Sequence, residues 1–137
     1  ELVGLHKLES LRFEVGAFAN GFNLVLDDLP SLVDLVFSED CFAGGASGRR
    51  LADGVSGIQI SNCGKLKKLS IPKFFIKTAL SCYIHEMPAL EEVKIAEGAL
   101  PEVMEMELKR MEKVRLICIG DGALDKCQSV TMESVAT

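Results

Sequence analysis

The chain contains no tryptophan and a single tyrosine among 137 residues, so the aromatic anchors that dominate many protein interfaces are scarce. No apolar run approaches the ~20 residues that a membrane-spanning helix requires, and no basic leader precedes an apolar stretch at the start. The five cysteines include no CxxC pair, and an odd number suggests neither a zinc ribbon nor a complete disulfide framework. Free, mostly buried thiols are the expectation, with a lean towards a reducing, cytoplasmic setting. Positive charge is in deficit: 15 Lys and Arg against 20 Asp and Glu give a net charge of −5. That balance argues against a nucleic-acid backbone as partner. No GxxxxGK[ST] loop occurs, so nothing marks a phosphate cradle.

What the chain does have is a period. Apolar residues recur at Leu5, Leu29, Cys63, Met87, Met111 and Val135, each step 24 residues except the second, which is 34. Three residues after each head come Leu8, Leu32, Leu66, Leu90 and Val114. Next come Leu11, Leu35, Leu69, Val93 and Ile117, then Phe13, Phe37, Ile71, Ile95 and Ile119. A fixed period of this length marks a solenoid, whose units bury their apolar sides only by stacking. One solenoid is expected over 1–137, with units 5–28, 29–62, 63–86, 87–110 and 111–134. Glu1 to Leu5 reads as the middle of a repeat, so a longer parent array is expected.

Within a unit, Leu35 and Phe37 face one way and Val36 the other, as a short strand demands. A second alternating pair follows in each unit: Leu24/Leu26, Ile58/Ile60, Cys82/Ile84, Met106/Leu108 and Val130/Met132. The fold class expected is a β-rich solenoid with two short parallel strands per coil, its two sheets facing each other across a narrow apolar core. The turn column Gly16, Asp40, Phe74, Gly98 and Gly122 suggests a backbone position with positive φ; a further column, Phe18, Phe42, Ile76, Leu100 and Leu124, closes the turn. Charges agree with this register. Residues one coil apart include Lys67 and Glu91, Lys68 and Glu92, Lys73 and Glu97, Glu86 and Arg110, Lys109 and Glu133, and Glu91 and Arg115. One like-charge pair, Glu97 and Asp121, stands against them.

The run Leu29-Pro30-x-Leu32-x-x-Leu35-x-Phe37-x-x-Asp40-x-Phe42 resembles a leucine-rich repeat. The stretch from Asn62 to Pro72 is similar to the short-repeat variety found in bacterial and protist surface proteins. The resemblance implies a right-handed superhelix with the first strands on its concave side. In place of the usual asparagine ladder stand Gly, Asp or Phe, and no cysteine-rich cap is visible.

Candidate sites each have a plainer reading. Cys82 and His85 stand at CxxH spacing, yet Cys82 shares an apolar column and His85 a polar one, so they should face opposite ways. Cys63 falls in a core column, Cys41 and Cys127 at small or linker positions, and Cys118 on the outer side of a first strand. The ten-residue excess lies within Ala43 to Gly57, a glycine-rich loop carrying Arg49 and Arg50. The cluster Lys65, Lys67, Lys68, Lys73 and Lys77 is answered by the acidic coil with Glu91, Glu92, Glu97, Glu102, Glu105 and Glu107.

The outward first-strand positions form the candidate recognition surface: Arg12, Asp34, Val36, Lys68, Ser70, Glu92 and Lys94, with Ser10, Leu116 and Cys118 beside them. A solvated wall is the competing reading. No nucleophile, base and orienting group converge in any column, so no enzyme, cofactor or metal is expected. A non-catalytic protein-binding module of a larger repeat protein is the leading expectation, with a structural spacer as the alternative. The partner expected is a protein, not a nucleic acid, and no segment is expected to insert into a membrane.

Overall fold

The computed structural model describes residues 1–14, 24–38, 57–73, 81–101 and 103–135. The turn positions Gly16, Phe18, Asp40, Phe42, Phe74 and Ile76, the thiol of Cys41, the loop arginines Arg49 and Arg50, and Lys77 and Glu102 lie outside these residues. The described residues form a parallel β-solenoid of about 4 coils set about 24 residues apart, without a helix. No helix long and apolar enough to cross a membrane occurs among them.

Coil building starts at the column heads. The carbonyls of Leu5, Leu29, Cys63, Met87 and Met111 each accept the N–H of the residue three further on, at 3.1 to 3.4 Å. This tight turn is the physical content of the L-x-x-L spacing. It brings two apolar side chains inward at one corner, and Leu29, Leu32, Cys63, Leu66, Met87 and Leu90 are all fully buried. The first strands follow directly: β2 (Ser10–Phe13), β4 (Asp34–Phe37), β6 (Lys68–Ile71), β8 (Glu92–Ile95) and β10 (Leu116–Ile119). Alternation then places Leu35, Phe37, Leu69, Ile71, Val93 and Ile95 in the core.

The second strands complete each coil. They are β1 (Leu2–Val3), β3 (Leu24–Asp27), β5 (Gly57–Ser61), β7 (Ser81–His85), β9 (Glu105–Met111) and β11 (Ser129–Val135). All six make one parallel sheet in the order β1-β3-β5-β7-β9-β11. Its register keeps like with like: Leu24, Ile58, Cys82, Met106 and Val130 form one row, and Leu26, Ile60, Ile84, Leu108 and Met132 another. The 34-residue step is absorbed without a slip, since Leu24 pairs with Ile58.

The opposite wall departs from expectation. Instead of one sheet, the first strands form two, β2-β4 and β10-β8-β6. The break falls between β4 and β6, in the coil that is ten residues longer than the others. Gly57 also departs: it opens β5 rather than closing the loop. A third departure concerns the last coil. Ile119, Val130 and Met132 occupy core columns, yet they are 52%, 53% and 54% exposed, because β10 and β11 are edge strands with no coil stacked beyond them among the described residues.

Left-handed backbone marks the corners. Gly98 and Gly122 have φ of 68° and 71°, as their column requires. A second such column was not read from the sequence. Gly4, Asp28, Asn62, Glu86 and Arg110, each just before a head, have φ between 54° and 71°. The first three belong to residue types that tolerate this region; Glu86 and Arg110 do not, and they are held there by N–H bonds from Glu86 to Lys109 and from Met87 to Arg110.

Gly120 is required for a different reason. A Cβ there would overlap the backbone of Ala96 and Glu97 on the neighbouring coil. Neither can retreat without opening the bond from the Gly120 N–H to Ile95 O, 2.7 Å long. Gly120→Ala is therefore expected to destabilise the fold by about 1–3 kcal/mol through overpacking. A thermal melt that leaves the midpoint unchanged would contradict this close approach.

Candidate functional site

Ser10, Arg12, Asp34, Val36, Lys68, Ser70, Lys94, Leu116 and Cys118 are exposed, and Glu92 is half-buried. In register, Lys68 stands beside Glu92, Ser70 beside Lys94, and Arg12 beside Val36. The break between β4 and β6 divides this set, so Arg12, Asp34 and Val36 belong to one sheet and Lys68, Ser70, Glu92 and Lys94 to another. Here the cations Arg12, Lys68 and Lys94 outnumber the carboxylates Asp34 and Glu92. Arg115 bridges towards Glu91 and Glu92, 3.9 Å from each, and Lys73 lies 3.9 Å from Glu97. Such exposed pairs contribute ~0–1 kcal/mol each.

A denser arrangement occupies the outer face of the six-stranded sheet. Parallel pairing lines up three rows about 4.8 Å apart from strand to strand. The first is Asp27, Ser61, His85, Lys109 and Glu133; the second Val25, Gln59, Tyr83, Glu107 and Thr131; the third Gly57, Ser81, Glu105 and Ser129. Side chains in these rows are tied to one another. The Ser61 hydroxyl donates to Asp27 Oδ1 at 2.8 Å, and Asn62 Nδ2 donates to the same oxygen at 2.7 Å. Gln59 Nε2 donates to Ser61 Oγ at 3.3 Å. The Tyr83 hydroxyl donates to Glu105 Oε2 at 3.1 Å, and His85 Nε2 stands 3.1 Å from Glu107 Oε2. Lys109 lies between Glu107 and Glu133, at 3.6 and 3.9 Å.

Where the outer face meets the left-handed corner, an open groove of about 390 Å³ runs past Asp27, Ser61, His85, Glu86, Lys109 and Arg110. Its lip is fixed by the Arg110–Glu86 pair at 2.8 Å. Outside the groove, His6 meets Asp28 at 2.8 Å. The Asn62 amide, and next the Ser61 hydroxyl, hold the Asp27 carboxyl below its ordinary value of 3.8. Burial pushes the Tyr83 phenol up, and its bond to Glu105 adds to the effect.

The lowered Asp27 value has a consequence for stability. A carboxyl depressed in the folded state stabilises the fold above its unfolded value, and that contribution disappears as pH falls through the folded value. Asp27→Asn is thus expected to melt below the wild-type chain at pH 7, with the gap narrowing as acidification passes below 3.8. A gap independent of pH in thermal melts would show that the Asn62 and Ser61 bonds do not favour the charged form.

The thiols separate as their columns suggest. Cys63 and Cys82 are fully buried, Cys118 is exposed and Cys127 half-buried. Burial raises the Cys63 thiol to about 11 and the Cys82 thiol to about 12, which leaves both protonated and unreactive at neutral pH. Cys82 points into the core while His85 points out towards Glu107, so the CxxH spacing brings no pair together. No group of three or more His, Cys, Asp and Glu side chains is placed to hold a metal ion among the described residues.

The columns singled out the first-strand wall and not the network on the second strands. The signal was available in the columns: the outer positions of the second strands carry Asp, Gln, Ser, Tyr, His, Glu and Lys, residue types that hydrogen-bond across strands. No protein-family model, curated protein or solved structure matches this chain.

Proposed function

We propose that this chain is a non-catalytic protein-binding segment of a leucine-rich-repeat-like protein, and that its partner docks on the outer face of the six-stranded sheet. The repeat identity is supported by the head-to-leucine turns and by the Leu29 to Phe42 run. The binding role is supported above all by one observation. The six-stranded sheet is unbroken and its outer side chains are already tied in place, Ser61 and Asn62 both on Asp27, and His85 and Lys109 both on Glu107. Side chains immobilised before contact lose little entropy on binding, which favours affinity. The first-strand wall, divided between two sheets, has no comparable array among the described residues.

A photo-crosslinking residue at position 83, compared with one at Val36, tests this reading. Discrete crosslinks to one protein from position 83, and none from position 36, are expected. Crosslinks only from position 36 would return the interface to Arg12, Asp34, Val36, Lys68, Ser70, Glu92 and Lys94. None from either position would leave the spacer role.

A further inference from the structure

The two outer faces of the solenoid differ in charge. On the six-stranded side, Asp27, Glu105, Glu107 and Glu133 are set against Lys109 and His85; the first-strand wall carries more cations than carboxylates. The acidic side is also the one with the aromatic ring. Tyr83 is the register partner of Glu107, and its hydroxyl reaches Glu105 on the same neighbouring strand. Tyr83, Glu105 and Glu107 therefore surround one spot on β7 and β9, with the His85 ring 5.8 Å from the tyrosine ring.

Tyr83 bonds Glu105 through Oε2, and both His85 and Lys109 approach Glu107 through Oε2. Two carboxylate oxygens beside an aromatic ring match a planar, forked cation, which can bond both acceptors while lying against the ring. A lysine ammonium has neither the fork nor the plane.

The geometry points to an arginine-bearing, extended basic segment of a partner protein as the occupant of this face, its guanidinium seated against Tyr83 between Glu105 and Glu107. This assignment rests on the six-stranded face being the docking surface. It adds the chemistry of what docks there.

The test uses the 137-residue chain and a short capped peptide alternating arginine with serine, alongside versions with lysine or glutamate replacing arginine. Amide shifts followed by NMR are expected to saturate with the arginine peptide and to map to β5, β7, β9 and β11. Glu105→Gln with Glu107→Gln should weaken binding about tenfold or more, the loss expected for a pair of charge-assisted bonds. Tyr83→Leu should narrow the preference for arginine over lysine. Asp34→Asn with Glu92→Gln, on the opposite face, should change nothing.

Equal losses from the two double variants would overturn the assignment, as would equal affinity for the arginine and lysine peptides with no dependence on Tyr83. Failure of the arginine peptide to bind would also overturn it. If the glutamate peptide instead shifts the same strands, the docking face stands and the arginine assignment alone falls. Crosslinks absent from position 83 would remove the face itself.

Discussion

Ile84→Ala is expected to remove about 2–5 kcal/mol of stability, the range for truncating a buried aliphatic side chain to a methyl group. Ile84 is fully buried in β7, with Ile60 and Leu108 as register partners on the flanking strands. Strands on both sides fix the backbone, so the wall cannot close over the lost atoms and a cavity remains. Domains of this size are held by only ~5–15 kcal/mol in total, so the loss is a large share of what keeps the chain folded. Ile84→Val should cost ~0.5–1.5 kcal/mol. Gln59→Ala, one strand away on the exposed face, should stay within ~0.5 kcal/mol. Urea unfolding checks the order of the three; an Ile84→Ala midpoint close to that of Gln59→Ala would mean that the row Leu26, Ile60, Ile84 and Leu108 is not the core.

The architecture was legible because its cause is periodic. Leu29, Cys63, Met87 and Met111 need share only apolar character and a step for the columns to emerge, and the i to i+3 turn beneath them then follows. Charges one coil apart carried the same signal, and the pairs Glu86–Arg110, Lys109–Glu133, Lys73–Glu97 and Glu91–Arg115 all form. What escaped is what breaks the period. The separation of β4 from β6 is one such break, and no residue in either strand announces it. Glu86 and Arg110 adopt left-handed backbone because their coil corner demands it, overriding residue preference. Val130 and Met132 lie in core columns, but burial belongs to a pair of coils, and the column does not say whether a neighbour is present.

The candidate face was half legible for a related reason. Register placed Asp27, Ser61, His85 and Lys109 in one row, and it follows from spacing. Which of them bond to which depends on side-chain reach. Ser61 is buried on a nominally outer row because its hydroxyl is bonded to both Asp27 and Gln59. A column of polar residues predicts exposure; two hydrogen-bonding neighbours reverse it.

Removing one whole coil should be tolerated where removing half of one should not. In a solenoid each unit contacts only its neighbours, so stability is close to a sum of units and interfaces. Deleting 87–110 joins Glu86 to Met111, one column head replacing another. β7 would then lie beside β11, with Cys82 against Val130, Ile84 against Met132 and His85 against Glu133. On the other wall β6 would meet β10, placing Leu69 on Ile117 and Ile71 on Ile119. Every apolar row is preserved, and a cooperative fold with lower stability and a smaller urea m-value is expected, since less surface is exposed on unfolding. Deleting only 87–98 joins Glu86 to Ala99, throws every later column out of register and turns apolar rows towards water; loss of the β-sheet circular dichroism signal is expected. The two deletions differ in opposite directions from what length alone would dictate, because the shorter cut does the greater damage. If both variants unfold, or both fold, the stacking of equivalent positions is not what specifies this structure.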